Sequence, residues 1–210
     1  MPTSLENPQQ IELQLPLGDF GAYLFDCDGT IVDSMPLHFI AWNKALAEWN
    51  CELPEKEFYA WGGLPVTQII SDLNRKHGLH MPVEEVAHRK ESYYYGIISQ
   101  LKPVPEVLHV IDTCYQRVPF AVVSGSTRES VIASLTAVHL LEKFQAMVCA
   151  GDYRKPKPDP EAFILAASRL GVAPESCLVF EDTEMGIQAA TAAGMASVKI
   201  LQPWERKAPK

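Results

Sequence analysis

The chain has 210 residues, of which 47% are hydrophobic and 21% charged, a composition typical of a globular protein and not of a disordered or fibrous one. Its formal charge of −8, from 18 basic and 26 acidic residues, argues against a nucleic-acid partner, which needs a basic surface. No segment is apolar for long enough to cross a bilayer, so we expect no membrane partner. A small anionic ligand remains compatible with this charge.

The N-terminal residues 1–18 lack the basic start and apolar block of a secretory signal. The five cysteines include no Cys-x-x-Cys pair and predict neither a disulfide framework nor a zinc site. We therefore expect a cytoplasmic protein, and we expect it to be a monomer. Residues 11–17 alternate apolar and polar side chains as an edge strand would, but Pro16 weakens that interpretation, which we leave open.

Short apolar runs predict buried strands, and segments with helical spacing separate most of them. The runs cover residues 22–26, 119–123, 146–150, 177–180 and 196–200. Strands that are apolar on both faces suit a parallel sheet covered by helices on each side. The pattern predicts a doubly wound, Rossmann-like α/β core.

Residues 35–101 interrupt this alternation, because they contain amphipathic helical patterns at 35–49, 66–77 and 83–100 and no convincing strand. We predict an all-helical cap at 35–101, inserted into a core formed by 1–34 and 102–210. An insert that follows the first strand should lie over the carboxyl edge of the sheet, where open α/β sheets bind ligands.

The ends of the core helices carry recognisable signals. Ser126 and Glu129 have the spacing of a capping box, and Asp159 precedes a proline suited to a first helical turn. Gly171 and Gly194 are typical residues for ending a helix.

Acidic side chains follow two of the predicted strands. Asp26 and Asp28 end the first strand before a turn at Gly29, and Glu181 and Asp182 end the strand at 177–180. If the sheet is wound as predicted, these four carboxylates converge, and their mutual repulsion requires a cation. An all-oxygen site suits Mg²⁺, so we predict a magnesium site. Solvated turn residues or helix caps are the alternative interpretation of each pair alone.

Two other strand ends offer groups that bind anions. Ser124 supplies a hydroxyl, and Gly125 and Ser126 supply amides at the start of the next helix. Lys155 lies in a proline-rich loop after the following strand. Each could be an ordinary turn or surface residue, but together, beside an acid cluster, they predict a phosphate site.

The sequence resembles the haloacid dehalogenase-like superfamily of phosphotransferases. The resemblance rests on four segments in the family's order and covers about residues 20–200. They are DCDGT at 26–30, SGS at 124–126, KPKPDP at 155–160 and FEDTEMGIQAA at 180–190. The position of the insert resembles the subclass capped between the first two segments, which includes β-phosphoglucomutases and sugar-phosphate phosphatases. True dehalogenases lack the second acid of the first segment, and Asp28 is present here.

The residues and the resemblance imply a magnesium-dependent phosphatase acting on a small phosphate ester, and we expect that ester to be a sugar phosphate. Asp26 would attack phosphorus and form an aspartyl phosphate, and Asp28 would transfer the proton. Asp26, Asp182, the backbone carbonyl of Asp28 and Glu181 would hold Mg²⁺. Lys155 and Ser124 would offset the charge of the phosphate.

The resemblance also places two cap residues, His38 and Lys90, at the active site. A mutase must hold a second phosphate, and in mutase-like relatives an arginine in the loop after the early cap helices does so. Val66 stands at the matching position here, and Gly63 offers only an amide. We therefore favour hydrolysis, keeping a β-phosphoglucomutase as the alternative. A catalytically weak ligand-binding protein of the same fold is a second alternative.

Overall fold

The structure is a computed structural model that describes residues 13–62, 64–202 and 205. Five parallel strands form one sheet in the order β3-β2-β1-β4-β5. They are β1 (Ala22–Phe25), β2 (Phe120–Val123), β3 (Ala146–Val148), β4 (Cys177–Glu181) and β5 (Ala196–Lys199). The order reverses beside β1, which opens a crevice at the carboxyl edge between β1 and β4. The predicted α/β fold is confirmed.

The alternation of side chains along the strands explains why the sheet is covered on both faces. Leu24 and Phe25 are both fully buried, in different apolar clusters on opposite sides of β1. Helices α5 (Pro105–Cys114) and α6 (Arg128–Ala137) cover the Phe25 face. Helices α7 (Glu161–Leu170) and α8 (Glu184–Ala192) cover the Leu24 face.

The cap contains α1 (Met35–Ala47), α2 (Glu55–Ala60), α3 (Val66–His77) and α4 (Val83–Ile97), followed by a short 3₁₀ turn. These helices enclose their own apolar cluster, in which Leu46, Ile70 and Leu73 are fully buried. Helix α2 was not among the predicted helices, because its six residues bury only Phe58 and leave no periodicity to detect. The division of the chain into cap and core domains stays a prediction.

The ends of the helices match the predicted signals in part. Gly171 and Gly194 adopt left-handed φ angles of 69° and 74° after α7 and α8. The predicted capping box of Ser126 and Glu129 is wrong, because Thr127 caps α6 by accepting the Ser130 N–H at 3.3 Å. The Ser126 hydroxyl donates elsewhere, to Asp28, at 2.7 Å.

The possible edge strand at residues 11–17 is not seen in the described part of that segment. Residues 13–17 form no strand, and residues 11 and 12 lie outside the described residues. No helix in the described part of the chain has the length and apolar character needed to cross a membrane.

Candidate active site

Three strand ends bring the core residues of the site together at the carboxyl edge of the sheet. Asp26 follows β1, Ser124 follows β2, and Glu181 is the last residue of β4. The Asp26 N–H donates to the Phe180 carbonyl at 2.9 Å, which extends the β1–β4 pairing by one residue. The carboxylates of Asp26 and Glu181 are therefore positioned by the backbone of adjacent strands and not by flexible loops.

A buried lysine links these strand ends, and it is Lys157. Its ammonium lies 2.7 Å from Asp26 Oδ1 and 2.6 Å from Glu181 Oε1, and it donates to the Val123 carbonyl at 3.0 Å. Burial alone would lower the pKa of Lys157, but the two carboxylates outweigh that effect and raise it. Lys157 is therefore a fixed positive charge inside the site.

The prediction that Lys155 occupies this position is wrong. Its side chain is 74% exposed and its ammonium pairs with Asp159 at 3.6 Å. The backbone N–H groups of Arg154 and Lys155 donate to the Glu161 carboxylate at 3.1 and 3.0 Å. These bonds fix residues 154 and 155 at the N-terminal end of α7. Two residues later the chain turns inward and carries Lys157 to the strand ends.

Asp26, Glu181 and Asp182 form the cluster that fits a metal ion. Each offers one carboxylate oxygen, and these oxygens lie within 4.8 Å of one another. Asp182 is oriented by the Gln202 amide at 2.7 Å and by the Thr30 hydroxyl at 3.4 Å. Lys157 neutralises only one of the three negative charges, so a divalent cation would complete the balance. Buried oxygen ligands suit Mg²⁺.

The electrostatics of the cluster agree with this fit. Burial raises the pKa of Asp26 to about 7, with Lys157 opposing the shift and Glu181 adding to it. Burial, followed by the neighbouring carboxylates of Asp26 and Glu181, raises the pKa of Asp182 as well. Burial is the main cause of both shifts and the neighbouring carboxylates add to it, so a bound cation would favour the ionised forms of Asp26 and Asp182.

Asp28 does not join this cluster through its side chain, so the expected convergence of four carboxylates is wrong and three converge. Asp28 Oδ1 accepts from the Ser34 hydroxyl at 2.7 Å and lies 3.1 Å from His38 Nε2. Asp28 Oδ2 accepts from the Ser126 hydroxyl at 2.7 Å. Burial alone would raise the pKa of Asp28, but His38 and these hydroxyls more than offset it, and the pKa lies below its ordinary value.

The loop after β2 combines a buried hydroxyl with an exposed glycine. Ser124 is almost fully buried, and its Oγ accepts the Ser126 N–H at 3.0 Å, which leaves the hydroxyl hydrogen to donate. Both Ser126 donors are used within the protein, on Ser124 and on Asp28. Direct phosphate binding by Ser126 stays a prediction that would require one of them to change partner. Gly125 lines the cavity in front of this loop.

A cavity extends from these core residues to the cap. The cap wall is mostly apolar and aromatic, and includes Trp42, Phe58, Trp61, Leu64, Val66 and Ile69. His38 and Lys90 supply its polar part, as the resemblance implied. Gly63 lies outside the described residues, although its neighbour Gly62 lines the cavity.

The two polar cap residues are buried side by side. His38 stacks on Tyr94 with the ring centroids 4.0 Å apart. Burial and the nearby Lys90 charge lower the pKa of His38. Its Nε2 is the nitrogen that faces Asp28, and its buried Nδ1 has no hydrogen-bond partner among the described residues. Lys90 is 4% exposed and pairs with Glu91 at 2.7 Å.

Sequence reasoning missed Lys157 and Gln202. Lys155 and Lys157 each precede a Pro-x-Pro sequence, so either lysine could match the motif. The number of residues between the lysine and α7 was the signal that could have distinguished the two. Gln202 has no local signal, because it approaches Asp182 and the Gly29 carbonyl from beyond β5.

The family comparison matches most of the chain. A model of the family described as haloacid dehalogenase-like hydrolase matches residues 23–200. Fructose-1-phosphate phosphatase YqaB of Escherichia coli is 34% identical over 184 residues, covering 86% of this chain and 96% of that protein. The beta-phosphoglucomutase of Bacillus subtilis is 31% identical over 192 residues, covering 86% of this chain and 83% of that protein.

A solved structure has the same architecture. The beta-phosphoglucomutase of Clostridium difficile superposes with a TM-score of 0.78 at 25% identity, covering 90% of this chain and 87% of that one. The similarity spans both the sheet and the helical insert, since either alone is much shorter than the matched share of the chain.

Proposed function

Because the chain belongs to the haloacid dehalogenase-like hydrolase family, we propose that it is a magnesium-dependent phosphatase that hydrolyses a small sugar phosphate through an aspartyl-phosphate intermediate. The enzyme class, a phosphoric monoester hydrolase, follows from this membership and from a phosphatase relative at 34% identity. The observation that carries the proposal is the buried ion cluster in which Lys157 bridges Asp26 and Glu181 beside Asp182.

Asp26 is the nucleophile in this proposal. It lies at the end of β1, is 7% exposed and borders the cavity, so a bound phosphate can reach its carboxylate. Lys157 holds Oδ1 at 2.7 Å, which leaves Oδ2 to attack phosphorus and form the acyl phosphate. Lys157 also reduces the repulsion between an anionic nucleophile and an anionic phosphate.

Asp28 transfers the proton. It lies two residues from the nucleophile, lines the cavity and contacts His38 of the cap. Asp28 would take up a proton before it acts as acid toward the leaving oxygen, and as a carboxylate it would then accept a proton from the water that hydrolyses the acyl phosphate. Oδ1 has two partners and Oδ2 accepts only from Ser126 among the described residues, so Oδ2 has a lone pair free for this proton.

Ser124 and the Gly125 amide bind the remaining phosphate oxygens. The Ser124 hydroxyl is fixed by the Ser126 N–H, and its backbone carbonyl is held by the Tyr153 hydroxyl at 3.2 Å. These donors are in place before substrate binds, which is the arrangement that stabilises charge as it develops in phosphoryl transfer.

Asp26, Asp182 and the backbone carbonyl of Asp28 would hold Mg²⁺, with Glu181 contributing directly or through water. When bound, the ion would neutralise charge on the phosphate and on the carboxylates. Glu181 is already bound by Lys157 and by the Thr183 N–H and hydroxyl, at 2.6 to 2.9 Å, so its main effect is to fix Lys157.

A sugar phosphate is the proposed substrate class. The cavity joins a polar phosphate end in the core to an aromatic wall in the cap, and aromatic rings pack well on the apolar faces of sugars. The Escherichia coli relative is named for fructose 1-phosphate, which supports a hexose phosphate.

Phosphoryl transfer within a hexose phosphate is the alternative, supported by the Bacillus subtilis relative. Within the described cap residues that line the cavity, Lys90 is the single permanent cation. Val66, at the position where the resemblance implies an arginine in mutases, is apolar and lines the same cavity. A single lysine whose charge is already paired with Glu91 should bind a second phosphate weakly, so hydrolysis is favoured over transfer within the sugar.

The test is a screen of hexose phosphates with Mg²⁺, together with p-nitrophenyl phosphate. Release of inorganic phosphate supports the proposal. Supplying β-glucose 1-phosphate with a trace of the 1,6-bisphosphate separates the alternative, because a mutase forms glucose 6-phosphate faster than free phosphate. Binding of a sugar phosphate without turnover of any ester would favour the ligand-binding protein.

A further inference from the structure

Helix α4 of the cap is joined to α6 of the core by buried polar contacts. The Tyr94 hydroxyl lies 2.8 Å from Ser134 Oγ. One turn earlier, the Ser130 hydroxyl donates to Glu91 Oε2 at 3.3 Å. Helix α6 begins directly after the Ser124–Ser126 loop, so these contacts connect the cap to the element that carries the phosphate-binding groups.

Glu91 makes a second contact, with its neighbour Lys90. Glu91 Oε1 accepts from Lys90 Nζ at 2.7 Å. Adjacent residues of a helix point about 100° apart and do not ordinarily meet, so this pair requires both side chains to bend toward one point. Glu91 thus bridges the cap lysine and the core helix through its two oxygens.

The pair holds Lys90 in a defined place. Its side chain is 4% exposed, and its ammonium lies 5.6 Å from the centre of the Tyr94 ring and 6.0 Å from that of Trp42. Lys90 lines the cavity, whereas Glu91 and Ser130 do not. Glu91 therefore touches the residue that faces the substrate and not the substrate space itself.

We propose that Glu91 is a positioning residue that fixes the Lys90 ammonium toward the hydroxyl groups of the sugar and keeps it in register with the phosphate-binding loop. The inference rests on the proposed function, because it requires a phosphorylated sugar in the cavity. Lys90 then contributes binding energy at the sugar, and loss of Glu91 weakens sugar recognition more than it weakens phosphoryl transfer.

The experiment compares two substrates in each variant: the hexose phosphate that the screen finds best, beginning with fructose 1-phosphate, and p-nitrophenyl phosphate, which has no sugar hydroxyls. In Glu91→Ala we expect KM for the hexose phosphate to rise about tenfold, with kcat changed less than about threefold. KM for p-nitrophenyl phosphate should stay the same. Glu91→Gln keeps a neutral acceptor in place, and we expect about a threefold rise.

The Lys90→Met variant tests whether Glu91 affects KM by acting through Lys90. It should raise KM for the hexose phosphate at least as much as Glu91→Ala does, and the double variant should be no worse than Lys90→Met alone. Ser134→Ala is the matched control, because it removes a different hydroxyl between the same two helices. It should lower the melting temperature and leave the ratio of the two KM values unchanged.

Additive KM effects of the Glu91 and Lys90 variants, or a Glu91→Ala protein that behaves like Ser134→Ala, would overturn the inference and leave the proposed phosphatase activity standing. Equal losses on both substrates would also overturn it. Absence of turnover of every ester by the wild-type protein would instead contradict the proposed function, so the two failures are distinguishable.

Discussion

The two walls of the cavity are built in different ways. On the core side, Asp26, Ser124 and Glu181 are fixed by neighbouring parallel strands, and Lys157 bonds to two of them and to the Val123 carbonyl. On the cap side, apolar side chains from α1, α2 and α3 line the cavity together with Trp61. Lys90, which is held by one carboxylate, is the one permanently charged residue among the described cap residues that line it.

This difference suggests that the core wall carries out phosphoryl transfer and that the cap wall recognises the sugar. Backbone pairing holds the core groups within hydrogen-bond distance of one another, as phosphoryl transfer requires. Apolar contacts are less directional, so a cap wall of rings tolerates different sugars and substitutions more easily. Changes in the core wall should therefore abolish turnover, and changes in the cap wall should alter KM.

The largest effect is expected for Asp26→Asn. The amide keeps the shape and still accepts from Lys157, but it cannot form an acyl phosphate, so activity should fall below about a thousandth of wild type. Relief of repulsion with Glu181 should leave the metal-free melting temperature unchanged or higher. Steady-state phosphate release and calorimetry measure both, and substantial residual turnover would contradict covalent catalysis by Asp26.

Lys157→Met and Lys155→Met form a matched pair within one loop. Removing the Lys157 charge leaves Asp26 and Glu181 buried without their cation, so we expect at least about a hundredfold loss of activity. The free energy of unfolding should fall by about 3–5 kcal/mol. Lys155→Met changes an exposed side chain and should alter activity by no more than about twofold. A large loss of activity in Lys155→Met and a small one in Lys157→Met would instead support the sequence-based prediction that Lys155 is the active-site lysine.

Asp182→Ala should raise the Mg²⁺ concentration needed for half-maximal activity at least about tenfold. Glu184→Ala is the control, because this nearby carboxylate is 69% exposed and pairs with Lys199 outside the cluster. Titration of activity with Mg²⁺ after treatment with EDTA provides the measurement. Equal Mg²⁺ requirements in the two variants, or full activity in the chelator, would show that the cluster holds no essential ion.

Gly186→Ala tests how tightly the core wall is packed. A Cβ at Gly186 would lie 1.8 Å from Glu181 Cδ, so the carboxylate must move away from Lys157. A shift of this kind should reduce kcat about tenfold. Gly96→Ala in α4 is the control, since a Cβ there meets no atom within 4 Å and should raise stability by about 0.5 kcal/mol. If both variants keep full activity, Glu181 has more freedom than its contacts indicate.

The sequence allowed the sheet and most of the cap to be predicted, because buried strands and amphipathic helices leave periodic patterns. The predicted helix at 66–77 coincides with α3, and the predicted strand runs coincide with all five strands to within two residues at each end. Helix α2 and the Thr127 cap escaped prediction, because short elements are decided by a few local contacts and carry no period.

The sequence by itself determined that acids, a hydroxyl and a lysine follow successive strands, and that parallel strand ends meet at one edge. Only the tertiary structure decided that Lys157 and not Lys155 reaches Asp26, and that the Asp28 carboxylate faces His38 instead of the metal cluster. Both depend on how a loop turns between two fixed ends. The loop before Lys157 is held by Glu161 at the start of α7, and the Asp28 carboxylate is held in part by Ser126, 98 residues away. Such contacts depend on where the chain folds in three dimensions, and they leave no periodic pattern in the sequence.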